Sequence, residues 1–156
     1  MNKLQQLRKI LIERGLNISV AESCTGGMLA QHLTKYPGSS NYFDRGFITY
    51  TNQSKIDELG VNSSVIDALG AVSLEVVSEM VKGVNKKSKT NISIAITGIA
   101  GPGGATIGKP VGTVCFGFIV NGELFTEKKL FSGDRDLIIQ SSVNFAIEYI
   151  FNQINI

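Results

Sequence analysis

The sequence predicts an α/β fold of three layers, in which helices cover both faces of a mostly parallel mixed sheet of about five strands. Two observations carry this prediction. Segments with helical hydrophobic spacing alternate with short runs of β-forming residues along much of the chain. Near its end, Asn121-Gly122 joins two consecutive strand-like runs, which is the strongest short-range signal of a β-hairpin. The strands separated by helices are therefore expected to be parallel, and the hairpin makes one late strand antiparallel.

The elements follow from local patterns taken in chain order. Apolar residues recur every three or four positions before Gly15, a good helix stop, so the chain is expected to begin with a helix. Ser73 is a plausible N-cap for a longer helix, and the Ser132 to Asp136 segment leads into a final helix. The first helix is predicted over about residues 3–14. The remaining helices are predicted over about residues 25–35, 52–60 and 63–69. The predicted strands cover about residues 17–22, 43–51, 92–96, 111–120 and 123–130.

Length and composition predict one domain over residues 1–156 and limit the class of protein. The net charge is only +2 and the charges are interleaved, so a nucleic-acid partner is not expected. No apolar run approaches the roughly 20 residues of a membrane span, and the N-terminus shows no signal-peptide core. Cys24 and Cys115 are far apart and show no ligand-like spacing, so we expect free thiols in a reducing cytoplasm.

Polar side chains cluster where three predicted parallel strands end. Ser23 and Thr25 follow the first strand, residues 50–55 follow the second, and Thr97-Gly98 ends the third. In open α/β sheets, ligands bind outside the carboxyl ends of the strands. The sequence therefore predicts a site at this edge of the sheet.

Few reaction types fit the residues available there. The one histidine, His32, lies inside a predicted helix, and it and two distant cysteines do not supply a metal site. The phosphate-binding loop motif of NTPases is absent. A hydroxyl or thiol activated by a lysine remains, with Lys55 as the candidate because it follows directly on a strand end. Its pKa would have to fall by roughly 3 units, at about 4–5 kcal/mol. On pattern alone, a solvated helix lysine is the more common case.

The residues at the first strand end admit two interpretations. Ser23 is either a nucleophile or a turn residue, and Thr25 has the stronger claim to be the helix cap. Cys24 is a rival nucleophile, but strand alternation points it away from Ser23 and towards the interior.

The other candidates are equally open. Tyr50 is either a site residue or a packed strand aromatic, and Thr97-Gly98 is either part of the site or a turn. Arg135, before the last helix, suits a phosphate or carboxylate, or pairs with a neighbouring aspartate.

Five motifs, in this order, resemble the CinA C-terminal domain family, and the resemblance runs from about residue 5 to 150. They are Ala-Glu-Ser-Cys-Thr-Gly-Gly at 21–27, Tyr-Thr-Asn-Gln-Ser-Lys at 50–55, Thr-Gly-Ile-Ala-Gly-Pro-Gly-Gly at 97–104, Lys-Pro-Val-Gly-Thr-Val at 109–114 and Ser-Gly-Asp-Arg at 132–135. Members of this family include nicotinamide-nucleotide amidases, which convert nicotinamide mononucleotide and water to nicotinate mononucleotide and ammonia in pyridine-nucleotide salvage.

The resemblance implies roles for the matching positions. Ser23 is the expected nucleophile and Lys55 its base, with Tyr50 and Thr97 in support. Substrate-binding roles are expected for Thr25, Gly26, Gly27, Gly98 and Arg135, with the N–H groups of residues 25–27 receiving the oxyanion or the phosphate. Neither a metal nor a cofactor is expected. The expected partners are a mononucleotide substrate and a second copy of the chain, a dimer being favoured. The alternative is a nucleotide-binding or sensing module of the same fold without catalysis.

Overall fold

A computed structural model describes all residues from Met1 to Ile156. It contains six α-helices, one short 3-10 helix at Ser39–Asn41, and five strands. The helices are α1 (Lys3–Glu13), α2 (Met28–Leu33), α3 (Asn52–Leu59), α4 (Ser63–Leu69), α5 (Leu74–Ser88) and α6 (Arg135–Ile154). The strands are β1 (Ile18–Glu22), β2 (Phe43–Ile48), β3 (Ile92–Gly98), β4 (Thr113–Val120) and β5 (Glu123–Leu130).

The strands form one mixed sheet in the order β2-β1-β3-β4-β5. β1 is parallel to both β2 and β3, whereas β4 is antiparallel to β3 and to β5. Only β4 is therefore reversed, which confirms the predicted sheet. The β1–β2 register contains one irregularity: Ile18 pairs with Phe43 and Ser19 with Arg45, so Asp44 is an extra residue in β2.

Two hydrophobic clusters fill the space between the sheet and the helices, one on each face of the sheet. The larger cluster joins α1, α2 and α6 to one face, through residues such as Leu11, Leu29 and Phe116. The smaller joins α3, α4 and α5 to the other face, through residues such as Ala95 and Met80. The result is the predicted α/β/α arrangement, in which β1 and β3, at the centre of the sheet, are buried throughout except at Gly98. No helix is long and apolar enough to cross a membrane.

The segment after β1 differs from the prediction. The helix expected from about residue 25 begins only at Met28. Gly26 and Gly27 have φ angles of +57° and +105°, in the left-handed region that glycine adopts most readily, so these residues form a turn rather than a first helical turn. The second strand also ends earlier than expected, at Ile48.

Candidate active site

A cavity of about 290 Å³ lies where β1 and β3 end, beside the segment that follows β2. Its lining joins residues from all three strand ends to the glycine-rich loop and the start of α6: Ser23, Cys24, Tyr50, Asn52, Lys55, Ala71, Val72, Thr97, Gly98, Ile99, Ala100, Gly101, Gly103, Gly104 and Arg135. A cavity of about 320 Å³ between α1, α2 and α6 contains none of these residues. The smaller of these two cavities is the candidate active site because a hydroxyl, a thiol and a buried amine line it.

Lys55 is a buried lysine with only oxygen atoms around its amine. Its side chain points inward from α3, and the residue is 1% exposed. The Nζ atom lies 2.9 Å from Ser23 Oγ, 2.8 Å from the carbonyl oxygen of Thr49 and 3.2 Å from that of Tyr50. No carboxylate forms an ion pair with it. This placement rules out a solvated helix lysine.

Burial lowers the pKa of Lys55 to about 8, because removal from water disfavours the charged amine. A neutral amine keeps two N–H donors and one lone pair. The charged amine donates to Ser23 Oγ and to the carbonyls of Thr49 and Tyr50. In the neutral amine the two carbonyls can accept both N–H donors, so that the lone pair can face the Ser23 hydroxyl proton. The same three contacts that satisfy an ammonium thus also suit a general base.

Ser23 is held by its backbone on two sides. Its N–H donates to the carbonyl of Ile96 on β3, and its own carbonyl accepts from the N–H of Gly26. The residue is 8% exposed, and its Oγ lines the cavity. Its hydroxyl is therefore fixed between the sheet and the Lys55 amine and remains open to a ligand.

Glu22 has a role that the sequence interpretation missed. This residue precedes Ser23, is fully buried, and accepts hydrogen bonds from Thr25 Oγ1 at 2.6 Å, Leu29 N at 2.8 Å and Ala30 N at 3.0 Å. The N-cap of α2 is Gly27, which has no side chain to accept these donors. The signal available in the sequence is this pair of glycines before a helix, which leaves the first-turn N–H groups in need of another acceptor.

Thr25, Gly26 and Gly27 do not line the cavity. The expectation that Thr25 caps the helix is wrong: its hydroxyl donates to Glu22 instead of receiving a helix N–H. Leu29 N and Ala30 N donate to Glu22, while Met28 N donates to the Thr25 carbonyl and Gly26 N to the Ser23 carbonyl. These four N–H groups are therefore bound within the protein.

Tyr50 and Arg135 meet at the mouth of the cavity. Arg135 Nη2 donates to the Tyr50 hydroxyl at 2.9 Å, and its Nη1 donates to the carbonyl of Gly101 at 2.8 Å. Tyr50 is 55% exposed and contacts Lys55 only through its main-chain carbonyl. Arg135 therefore joins the start of α6 to the glycine-rich loop and pairs with neither neighbouring aspartate.

Thr97 and Gly98 form the β3 side of the cavity. The Thr97 hydroxyl donates to the carbonyl of Ala71 at 3.1 Å, so it holds the loop before α5 rather than the Ser23–Lys55 pair. At Gly98 an added Cβ would lie 2.8 Å from Val114 Cγ2, which leaves no room for a side chain. Both residues line the cavity.

Cys24 is a poor rival to Ser23. Burial raises the pKa of its thiol to about 12, so the thiolate is essentially absent near neutral pH. Cys24 belongs to the larger hydrophobic cluster, as its predicted burial requires, although it also lines the cavity.

Known proteins with similar sequences and structures share one family description. Residues 2–154 match the CinA C-terminal domain. A Clostridium acetobutylicum protein whose name includes "competence-damage inducible protein" is 45% identical over 148 residues, which is 95% of this chain and 36% of that protein. A Clostridium beijerinckii protein with the same wording is 47% identical over 88% of this chain and 34% of its own length. The chain thus spans about a third of the length of these curated relatives.

Solved structures agree with the sequence matches. The competence damage-inducible protein A of Klebsiella pneumoniae superposes with a TM-score of 0.95 at 31% identity, over 98% of this chain and 95% of that one. A competence/damage inducible protein of Agrobacterium tumefaciens gives a TM-score of 0.91 at 38% identity, over 100% and 98%. The family match, the sequence identities and the fold all agree, and this chain belongs to the CinA C-terminal domain family.

Proposed function

We propose that this protein is a nicotinamide-nucleotide amidase that hydrolyses the carboxamide of nicotinamide mononucleotide to nicotinate mononucleotide and ammonia. One observation carries the proposal: the buried Lys55 amine lies 2.9 Å from the Ser23 hydroxyl oxygen and also within hydrogen-bond distance of two carbonyls that accept its N–H donors. Family membership supports the choice of substrate, since the motifs resemble those of such amidases.

The reaction begins with proton transfer from Ser23 Oγ to Lys55 Nζ while Oγ attacks the carboxamide carbon. A tetrahedral oxyanion forms, and the Lys55 ammonium returns the proton to the leaving nitrogen, so that ammonia departs and an acyl ester remains on Ser23. Water then attacks this ester and gives its proton to Lys55. Nicotinate mononucleotide leaves as Ser23 regains its proton.

The oxyanion needs donors other than those expected at residues 25–27. The N–H of Cys24 directly follows the nucleophile, belongs to a residue that lines the cavity, and donates to no backbone carbonyl. An N–H at this position is a common oxyanion donor, and one such donor is typically worth about 3–4 kcal/mol of barrier. We assign this role to Cys24 N–H.

Arg135 supplies the positive charge for the phosphate. Its contacts to Tyr50 and Gly101 use two of its five N–H donors, so others remain for a phosphate oxygen at the mouth of the cavity. The phosphate would then lie at the mouth, with the carboxamide inside beside Ser23.

The test is ammonia release from nicotinamide mononucleotide by the wild type and by Ser23→Ala and Lys55→Ala. We expect a loss of about 10³-fold or more in kcat for either variant, since removing a nucleophile or its base has effects of this size. The exposed residues Ser40 and Lys86 provide matched controls, and Ser40→Ala and Lys86→Ala should retain activity.

Two outcomes would contradict the proposal. Full activity in Ser23→Ala or Lys55→Ala would remove the pair from the mechanism. Tight binding of the nucleotide by the wild type without ammonia release would favour the sensing module instead.

A further inference from the structure

We propose that Glu22 is a positioning residue for Ser23, and that its carboxylate fixes the turn which aims the Ser23 hydroxyl at Lys55. This inference rests on the proposed function in taking Ser23 as the nucleophile. It concerns a residue that contacts neither the Ser23 hydroxyl nor the Lys55 amine, and therefore acts through the backbone around them.

The first argument is how the start of α2 is stabilised. In most helices the N-cap side chain accepts the N–H groups of the second or third helical residue. Here the N-cap is Gly27, and those two donors, Leu29 N and Ala30 N, are bound by Glu22 from the preceding strand. Glu22 thus acts as a cap supplied from outside the helix, and ties α2 to the end of β1.

The second argument is that the hydrogen bonds of the Glu22 carboxylate surround the Ser23 backbone. Its third donor is the Thr25 hydroxyl, at 2.6 Å. The Glu22 carboxylate therefore binds both the turn at residue 25 and the helix at residues 29 and 30. The backbone of Glu22 is joined directly to that of Ser23. The Ser23 backbone lies inside this ring of contacts and cannot rotate without breaking one of them.

The third argument concerns the other half of the pair. The main-chain carbonyl of Glu22 accepts the N–H of Thr49 at 2.9 Å, and the Thr49 carbonyl in turn accepts from Lys55 Nζ at 2.8 Å. Glu22 therefore holds Ser23 through its side chain and the support of Lys55 through its main chain. It thus connects the nucleophile and the base through one chain of hydrogen bonds.

The hydrogen-bond donors around Glu22 explain why this position carries a carboxylate. The carboxylate offers acceptors only, and all three of its neighbours are donors. In Glu22→Gln the amide places N–H groups against at least one of these donors, so the turn must shift while side-chain size is kept. The sheet and both hydrophobic clusters are left intact.

The test combines kinetics with a reaction that does not need the substrate. We expect Glu22→Gln to lower kcat for nicotinamide mononucleotide by roughly 10- to 100-fold with KM within about threefold of wild type, since a displacement of about 1 Å at a reacting group has effects of this order. The labelling rate of Ser23 by a fluorophosphonate, read by mass spectrometry of the intact protein and of peptides, should fall by a similar factor. Glu13→Gln changes an exposed glutamate on α1 and should leave both rates unchanged.

The outcomes separate the two proposals. A wild type that labels at Ser23 faster than Glu22→Gln but releases no ammonia contradicts the amidase function and keeps the role of Glu22. Equal labelling of the two proteins overturns the role of Glu22 whatever the ammonia assay shows. If neither protein is labelled, Glu22→Gln must lower kcat as stated, and otherwise the role of Glu22 is overturned. If Glu22→Gln shows no cooperative melt, Thr25→Val removes one of the three donors, and its labelling rate must then fall below that of the wild type for the inference to stand.

Discussion

The Nζ of Lys55 lies 2.9 Å from the Oγ of Ser23, although the two residues are 32 positions apart in the sequence. The two side chains come from different segments, one directly after β1 and the other from the first turns of α3. Because β1 and β2 are adjacent and parallel, their carboxyl ends lie at one edge of the sheet, and this brings the two segments together.

The lowered pKa of Lys55 predicts the pH dependence of activity. Below its pKa of about 8 the amine is protonated and has no lone pair for the Ser23 proton. We therefore expect kcat/KM to rise with pH and to level off above about 8. Initial rates between about pH 6 and about pH 9 measure this, and a flat profile over that range would contradict a lysine base.

The same group predicts how stability changes with pH. An unfolded Lys55 titrates near 10.5 and the folded one near 8, so between these values the unfolded chain binds more protons and the folded state gains stability as pH rises. We expect this gain to reach about 3 kcal/mol relative to Lys55→Met, in which the titrating amine is absent. Urea unfolding of both proteins at several pH values gives the difference. A difference that stays constant from pH 8 to 10.5 would show that Lys55 has an ordinary pKa in the folded state.

The tight packing around Gly98, at the β3 end of the cavity, predicts that a larger residue there lowers stability. In Gly98→Ala the new Cβ would lie 2.8 Å from Val114 Cγ2 and 3.1 Å from the Thr113 carbonyl oxygen, so β3 or β4 must move. We expect a loss of roughly 1–3 kcal/mol in unfolding free energy. Gly103→Ala, in the adjoining loop, meets nothing within 4 Å and should change stability by less than about 0.5 kcal/mol. Equal midpoints in chemical denaturation would refute the difference.

The position of Arg135 predicts how the proposed amidase distinguishes a nucleotide from its riboside. Loss of a charged hydrogen bond to phosphate costs about 1.5–3 kcal/mol, so Arg135→Met should raise KM for nicotinamide mononucleotide by roughly 10- to 100-fold. The riboside lacks the phosphate, and its kcat/KM should change far less. Steady-state kinetics with both substrates decide the point, and an equal loss for both would assign Arg135 to the shape of the loop instead.

Local rules account for most of the fold. Asn121 and Gly122 have the positive φ angles, +48° and +86°, that a tight hairpin turn requires. Ser73 Oγ accepts the N–H of Val76 at 3.2 Å, as an N-cap should. These features depend on a few neighbouring residues, and the sequence shows them directly.

The site was predictable only in part because its contacts connect distant segments. Ser23 and Lys55 could be placed at one sheet edge, but the burial of Lys55 depends on its fit against the carbonyls that follow β2. Threonine is a residue type that often caps helices, yet the turn at Gly26 and Gly27 moves the helix start to Met28. Glu22 then accepts the hydrogen bonds of the Thr25 hydroxyl and of Leu29 N. No local pattern distinguishes that outcome from a threonine cap.

The extra residue in β2 determines how the segment after β2, which supports Lys55, is aligned with the segment after β1, which carries Ser23. Asp44 has no partner in the β1–β2 ladder, so every later residue of β2 is offset by one position relative to β1. Successive strand residues point to opposite faces and are about 3.3 Å apart, so without this offset Thr49 would exchange faces with its neighbour. The carbonyls that hold the Lys55 amine would then be displaced by about the length of a hydrogen bond, and the lysine would lose its alignment with Ser23. The alignment of Lys55 with Ser23 at one end of the sheet thus depends on an extra residue near the other end.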